Sequence, residues 1–273
     1  MPGRTVVILG SGDIGLIMAR RMTFEGCDVK ACVELMPFSS GLKRNVVQCL
    51  DDYDIPLMLN HTVVDIAGHD RVEGVTIAEV DEKTKKPIPG TEQYIECDTL
   101  LLSVGLIPEN ELSVGAGVDL ARSTQGPVVD ENYETNVDGV FAAGNVLHVH
   151  DLVDFVSEEA ARAGEAAAKY VISGKADKGT GVPVQEGFGV SGIVPQLIHP
   201  KQLTDQPVKF MFRPRDVYKG ARICVDVDGK EVLRGKPHMI MAPGEMASLS
   251  VDSELFKKKG DISNVTVRLE VRA

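Results

Sequence analysis

No two of the five cysteines stand in a Cys-x-x-Cys pair. Cys27, Cys32, Cys49, Cys97 and Cys224 are scattered and odd in number, which argues against a redox dithiol, a zinc knuckle and a disulfide framework alike. They read as ordinary small apolar residues of a protein kept in a reducing compartment. Long hydrophobic runs are also missing. The longest, such as residues 99–104, fall far short of a membrane span. Nor is there an excess of positive charge: the formal net charge is −11, so a phosphate backbone or an anionic membrane would repel the chain. No signal peptide is read ahead of the first strand, because Met1-Pro2-Gly3-Arg4 leads straight into it. These absences point to a cytoplasmic globular protein that binds neither nucleic acid nor membrane. With 273 residues it has room for two domains and a small third.

Residues 5–9 form a β-branched apolar run ended by glycine, the pattern of a buried parallel strand. Helical spacing follows, with Ile14, Ile17, Met18 and Met22 expected on one core-facing side and Gly26 as the stop. Residues 28–33 give a second strand closed by Glu34, residues 45–52 a helix, and residues 55–59 a third strand. Three short alternating stretches around 62–66, 71–80 and 94–97 predict a β-meander over one face of the sheet. Residues 99–104 return to a continuous apolar strand.

A second αβ region is expected next. It has a short buried strand over 139–143, a sharp exit at Gly144-Asn145, and a helix from Asp151, as N-cap, to Ile172. Residues 176–200 read as a linker because of their glycines. From residue 201 to 273 the period is two, and Asp228-Gly229 marks a hairpin, which predicts a small β-sandwich. The fold class is therefore α/β, with a dinucleotide-binding domain over 1–105, a second αβ part over 106–175 and an all-β C-terminal domain.

Gly10-Ser11-Gly12-Asp13-Ile14-Gly15 is a G-x-G-x-x-G between a strand and a helix, with Glu34 about 20 residues on. Gly10 permits the tight turn, Gly12 lets a pyrophosphate approach the backbone, and Gly15 lets helix and strand pack closely. The helix start at Asp13 and Ile14 offers N–H groups to phosphate. Glu34 can accept from ribose hydroxyls and would repel a 2′-phosphate. NAD(H) is favoured over NADP(H), with Lys43 and Arg44 the nearest cations.

Three further stretches carry a resemblance. Thr135-Asn136-Val137-Asp138-Gly139-Val140-Phe141-Ala142-Ala143-Gly144-Asn145 resembles the second flavin fingerprint of the two-dinucleotide flavoproteins, the pyridine nucleotide-disulfide oxidoreductase-like family. In that family an aspartate that binds the FAD ribityl chain stands where this sequence has Asn145. Ala160-Ala161-Arg162-Ala163-Gly164 resembles the helix that faces the flavin, and Ser103-Val104-Gly105-Leu106-Ile107-Pro108-Glu109-Asn110 resembles the crossover from NAD to FAD domain. The resemblance implies that Gly105, Gly144, Asn145 and Asp154 approach FAD and that residues 106–175 are the C-terminal half of an FAD domain. It is closest to the dithiol-free subgroup. Members of the family place their own N-terminal FAD lobe before the NAD domain, so a chain starting here resembles the last two thirds of such an enzyme. Its FAD site is expected to be incomplete without that lobe or a partner subunit.

His148-Val149-His150-Asp151 and Asp154 invite a metal reading, but alternating histidines on a strand point to opposite faces, so no metal is expected. A polar loop beside the flavin fits better, and an imidazole there could move a proton. Lys257-Lys258-Lys259 reads as a solvated turn. The leading function is hydride transfer between NAD(H) and FAD and on to another substrate or electron carrier. A non-catalytic nucleotide-binding and docking subunit of a multi-subunit dehydrogenase is the alternative, with an electron-transfer partner in either case. A simple NAD-dependent dehydrogenase is weaker, because no catalytic acid or base stands out.

Overall fold

The computed structural model describes residues 3–174, 179–257 and 262–271. The chain divides into two compact units, Met1–Gly105 and Leu106–Ala273.

In the first unit the order is β1 (Thr5–Leu9), α1 (Asp13–Phe24), β2 (Asp28–Glu34), α2 (Lys43–Cys49), β3 (Leu57–Leu59), β4 (His61–Ala67), β5 (Gly74–Glu79), β6 (Gln93–Glu96) and β7 (Thr99–Leu102). Strands β3-β2-β1-β7 make a parallel sheet, and β4-β5-β6 a separate antiparallel one. Alternate residues of the parallel strands serve opposite faces. Val6 and Ile8 join Leu16, Ala19 and Met22 of α1 and Cys49 and Leu50 at the end of α2 in one core. Val7, Ala31 and Val33 join Val75 and Ile77 of β5 in the other. Each buried Val, Leu, Ile or Met among them contributes roughly 1.5–3 kcal/mol. The predicted meander therefore covers one face of the sheet and the helices the other.

The face of α1 differs from the sequence reading. Gly15, Leu16, Ala19 and Met22 are buried, whereas Ile14 is 68% and Ile17 47% exposed. Close approach at Gly15 turns the stripe through Ala19 inward. Successive helix positions rotate by roughly 100°, so Ile14 is carried outward.

The second unit contains α3 (Glu111–Gly115), α4 (Val153–Ser173), β8 (Val182–Glu186), β9 (Val190–Val194), β10 (Leu197–Ile198), β11 (Val208–Pro214), β12 (Tyr218–Lys219), β13 (Arg222–Val227), β14 (Lys230–Pro237), β15 (Ile240–Met241), β16 (Ala247–Val251), α5 (Glu254–Lys257) and β17 (Val265–Glu270). Sheets β10-β8-β17-β13-β14 and β16-β11-β9 share one core, which includes Val184, Ile223, Val225 and Val267 from the first and Val190, Phe210, Phe212 and Val251 from the second. Asp228 (φ 49°) and Gly229 (φ 74°) make the two-residue β13–β14 hairpin, pairing Val227 with Lys230.

Four readings change here. The stretch taken as a linker supplies β8, β9 and β10, and β8 lies inside the five-stranded sheet. Its glycines serve packing: a Cβ on Gly187 would come within 2.6 Å of Arg268 Cβ. Residues 139–143 form no strand but one isolated bridge, Glu134 to Phe141. Helix α4 begins at Val153 with Leu152 as an uncapped N-cap, because Asp151 is engaged elsewhere: it pairs with Arg213 and accepts from Met246 N–H at 2.6 Å. Lys257 pairs with Asp205 and Glu254, at 3.1 and 3.2 Å, whereas Lys258 and Lys259 lie outside the described residues.

Candidate functional site

The glycine loop is fixed from below. Gly10 N–H donates to Val33 O at 2.7 Å, and Ser103 N–H to Leu9 O at 2.7 Å. Gly10 has φ +99°, and a Cβ on it would stand 2.0 Å from Ser103 O. On Gly15 a Cβ would stand 2.5 Å from Gly10 O. Both glycines are thus demanded by the fold itself. Gly12 is not. Its φ is −64°, open to any residue, and the nearest atom to a Cβ there is Ser40 Oγ at 3.7 Å. The space over Gly12 is free, and no packing contact requires a glycine there. That same residue is the N-cap of α1 and makes no side-chain cap, so the first-turn N–H groups are left to solvent or to a ligand.

Glu34, 7% exposed at the end of β2, closes the cradle. One carboxylate oxygen accepts from Ser11 N–H at 3.0 Å and Ser11 Oγ–H at 2.5 Å, the other from Met36 N–H at 2.9 Å. Asp13 faces sideways: its carboxylate takes Leu42 N–H at 2.8 Å and Asn45 Nδ2–H at 2.7 Å, holding the start of α2 beside the loop. Gly10, Gly12, Asp13, Ile14, Gly15 and Glu34 therefore come together in one place.

The residues assigned to flavin by resemblance are placed differently. Gly105, with φ +91°, ends the first unit, and no atom lies within 4 Å of a Cβ there. In the second unit Gly144 (φ +76°) starts a 3-10 turn, and its N–H is spent on Glu159, at 2.6 Å. Asn145, exposed, accepts His150 N–H through Oδ1 at 3.1 Å. Asp154 lies exposed in the first turn of α4.

A second constellation was not legible in the sequence. The segment 147–150 is not a strand, so His148 and His150 do not point apart. Their rings meet edge to face with centroids 4.4 Å apart. Both reach Glu159, one turn and a half into α4: His148 Nε2 lies 2.7 Å from Oε2 and His150 Nε2 3.1 Å from Oε1. Burial pushes the Glu159 carboxyl up, but hydrogen bonds from His148, His150 and Gly144 N–H outweigh it and hold it at about 2. An ionised carboxylate only accepts, so each ring donates through Nε2–H. Both Nδ1 atoms are left buried without a partner, a cost of about 1–3 kcal/mol each. Asp130, Glu131 and His199 form another compact group, whose oxygens already accept backbone N–H groups of residues 132, 134 and 199. Glu159 and His199 had no local sequence signal. Only the folded loop brings them to their partners.

The five cysteines are free and buried. Burial pushes the Cys32 thiol up to about 12, with the nearby Glu34 carboxylate adding to the effect. None can act as an exposed redox thiol.

Residues 1–168 match the family "Pyridine nucleotide-disulphide oxidoreductase". The chain belongs to that family. Its members are FAD- and NAD(P)-dependent oxidoreductases, and the α/β class with a Rossmann-like core agrees. Among its relatives, "Glutamate synthase [NADPH] small chain" of Halomonas elongata is 25% identical over 188 residues, covering 63% of this chain and 39% of that protein. "Dihydrolipoyl dehydrogenase, mitochondrial" of Caenorhabditis elegans is 30% identical over 151 residues, covering 53% of this chain and 29% of that protein. The chain thus spans well under half the length of either. Thioredoxin reductase of T. acidophilum superposes with a TM-score of 0.53 at 29% identity, over 63% of this chain and 54% of that one. One relative is, by its name, the small chain of a larger enzyme. Among the described residues no helix is long and apolar enough to cross a membrane.

Proposed function

We propose that the first unit binds NAD(H), with its pyrophosphate against the loop from Gly10 to Gly15, and that the chain serves hydride transfer between NAD(H) and FAD. The observation that carries this reading is the free space over Gly12, between two glycines that the fold itself requires. The nicotinamide supplies the hydride. The chain's own residues bind and orient: first-turn N–H groups of α1 meet the phosphates, exposed Ile14 offers an apolar surface beside them, and Glu34 meets the adenosine ribose. A carboxylate offers about four acceptor positions. Ser11 and Met36 use three of them, which leaves one for a ribose hydroxyl and a fixed negative charge against a 2′-phosphate.

Toward FAD, Gly144 contributes its turn, since its N–H is spent, and Asn145 its outward amide NH2. Asp154, exposed in the first turn of α4, completes the flavin-facing set of the second unit. The dithiol chemistry of some relatives is not assigned to this chain, whose cysteines are buried. Electrons would pass from FAD held there to another substrate or carrier, and the buried free thiols fit work in the cytoplasm. The relative named a small chain favours a second reading, a nucleotide-binding subunit docked to a partner dehydrogenase.

Fluorescence titration with NADH and NADPH is the test. NADH is expected to bind at least about tenfold more tightly, about 1.4 kcal/mol. Equal affinity overturns the role of Glu34, and binding of neither coenzyme overturns the site.

A further inference from the structure

The carboxylate of Glu159 is among the most deeply buried charges in the chain, with its side chain 1% exposed. Among the described residues no lysine or arginine pairs with it. It faces two imidazoles and one backbone N–H, from Gly144. A buried carboxylate needs a positive charge beside it. As a brace between loop and helix the cluster leaves both Nδ1 atoms in the interior without a partner.

Its donor set is better suited to something else. Two imidazole nitrogens and one carboxylate oxygen lie within 4.8 Å of one another, all on buried residues. That combination is the ligand chemistry of zinc-type ions, whereas magnesium and calcium prefer oxygen alone. The surroundings match as well. Gly144 N–H donates to the carboxylate at 2.6 Å, as hydrogen-bond donors do to the ligands of metal centres. The 3-10 turn at Gly144–Val146 returns the loop so that both rings face α4.

We propose that His148 Nε2, His150 Nε2 and a carboxylate oxygen of Glu159 bind one divalent transition-metal ion of the zinc type. The ion clamps the loop before α4 to the helix and neutralises the buried charge. This inference is independent of the coenzyme reading.

The full-length chain, stripped with chelator, is titrated with Zn2+ against a chromogenic indicator and with Co2+ by visible absorbance. Thermal unfolding is followed with and without Zn2+ or Mg2+. One equivalent of zinc is expected, a Co2+ ligand-field spectrum, and a rise in Tm with zinc but not magnesium. His148→Gln, His150→Gln and Glu159→Gln should each weaken binding on the order of 100-fold, since each removes one of three protein ligands. His199→Gln, in the other acidic cluster, should leave it unchanged. The proposal is overturned if the unsubstituted chain shows no zinc-dependent rise in Tm and no Co2+ spectrum. It is also overturned if binding survives the His148→Gln/His150→Gln double change, or is lost with His199→Gln. The measurements on the unsubstituted chain decide the matter even where a variant does not fold.

Discussion

Three glycines of one loop should respond to alanine in opposite ways. In Gly10→Ala the new Cβ stands 2.0 Å from Ser103 O at φ +99°. The left-handed conformation alone costs about 1–3 kcal/mol, and the overlap adds to it by prising β1 from β7. Gly15→Ala meets Gly10 O at 2.5 Å and Ser103 Cβ at 2.9 Å, so α1 must lift from the sheet. Gly12→Ala meets nothing nearer than 3.7 Å at a φ that alanine accepts. Its stability change is the small difference between a weaker N-cap and a less flexible unfolded chain, within about 1 kcal/mol. For a domain of about 100 residues that is roughly 4–8 °C in Tm, and Gly10→Ala should exceed it at least twofold. Binding should run the other way. The methyl of Gly12→Ala occupies the approach to the first-turn N–H groups. Each charge-assisted bond lost is worth about 1.5–3 kcal/mol, or roughly ten- to a hundredfold in NADH affinity. Differential scanning calorimetry and NADH fluorescence on the same preparations read both quantities. If Gly12→Ala unfolds as early as Gly10→Ala, or binds NADH like the unsubstituted chain, the reasoning fails.

Two other outcomes follow from local chemistry. Asp98 accepts from Arg4 N–H, Thr5 N–H and Thr99 Oγ, which ties the start of β1 to β7, and the Arg4 N–H leads in holding its carboxyl below the usual range. A depressed carboxylate stabilises above its unfolded pKa and loses that contribution as pH falls through its folded one. Asp98→Asn should therefore lower Tm at neutral pH and make little difference in acid; an equal loss at both refutes the coupling. The second outcome concerns the thiols. Native chain should resist iodoacetamide at all five cysteines and react at five after unfolding, by mass spectrometry. Rapid labelling of Cys32 in the native state would contradict its burial.

Much of the first unit could be read locally. A β-branched run, a glycine loop and an acidic residue after the second strand are contiguous signals, and β1, α1 and β2 stand where they predict. The period-two strands from residue 208 onward were legible for the same reason, as was the Asp228-Gly229 hairpin. The face of α1 was not, because hydrophobicity ranks Ile14 above Gly15, while close packing on β1 selects Gly15. Strands β8 to β10 were hidden by glycines that serve close approach rather than flexibility. The His148–His150–Glu159 cluster depends on a turn folding a loop back on a helix. Spacing along the chain cannot express that: two histidines two apart belong on opposite faces only if their segment is a strand.

Strand β17 lies between β8 and β13, parallel to the first and antiparallel to the second. The partner of β8 is therefore made roughly eighty residues after β8 itself. Loop closure over that separation is slow. During synthesis β8, which can already pair with β10, must wait with its other hydrogen-bonding edge and the apolar side of Val182 and Val184 unpaired until residues 265–270 have left the ribosome. The five-stranded sheet is thus assembled around its latest member, and the interval before its arrival is when the nascent chain is most exposed to pairing with a neighbour.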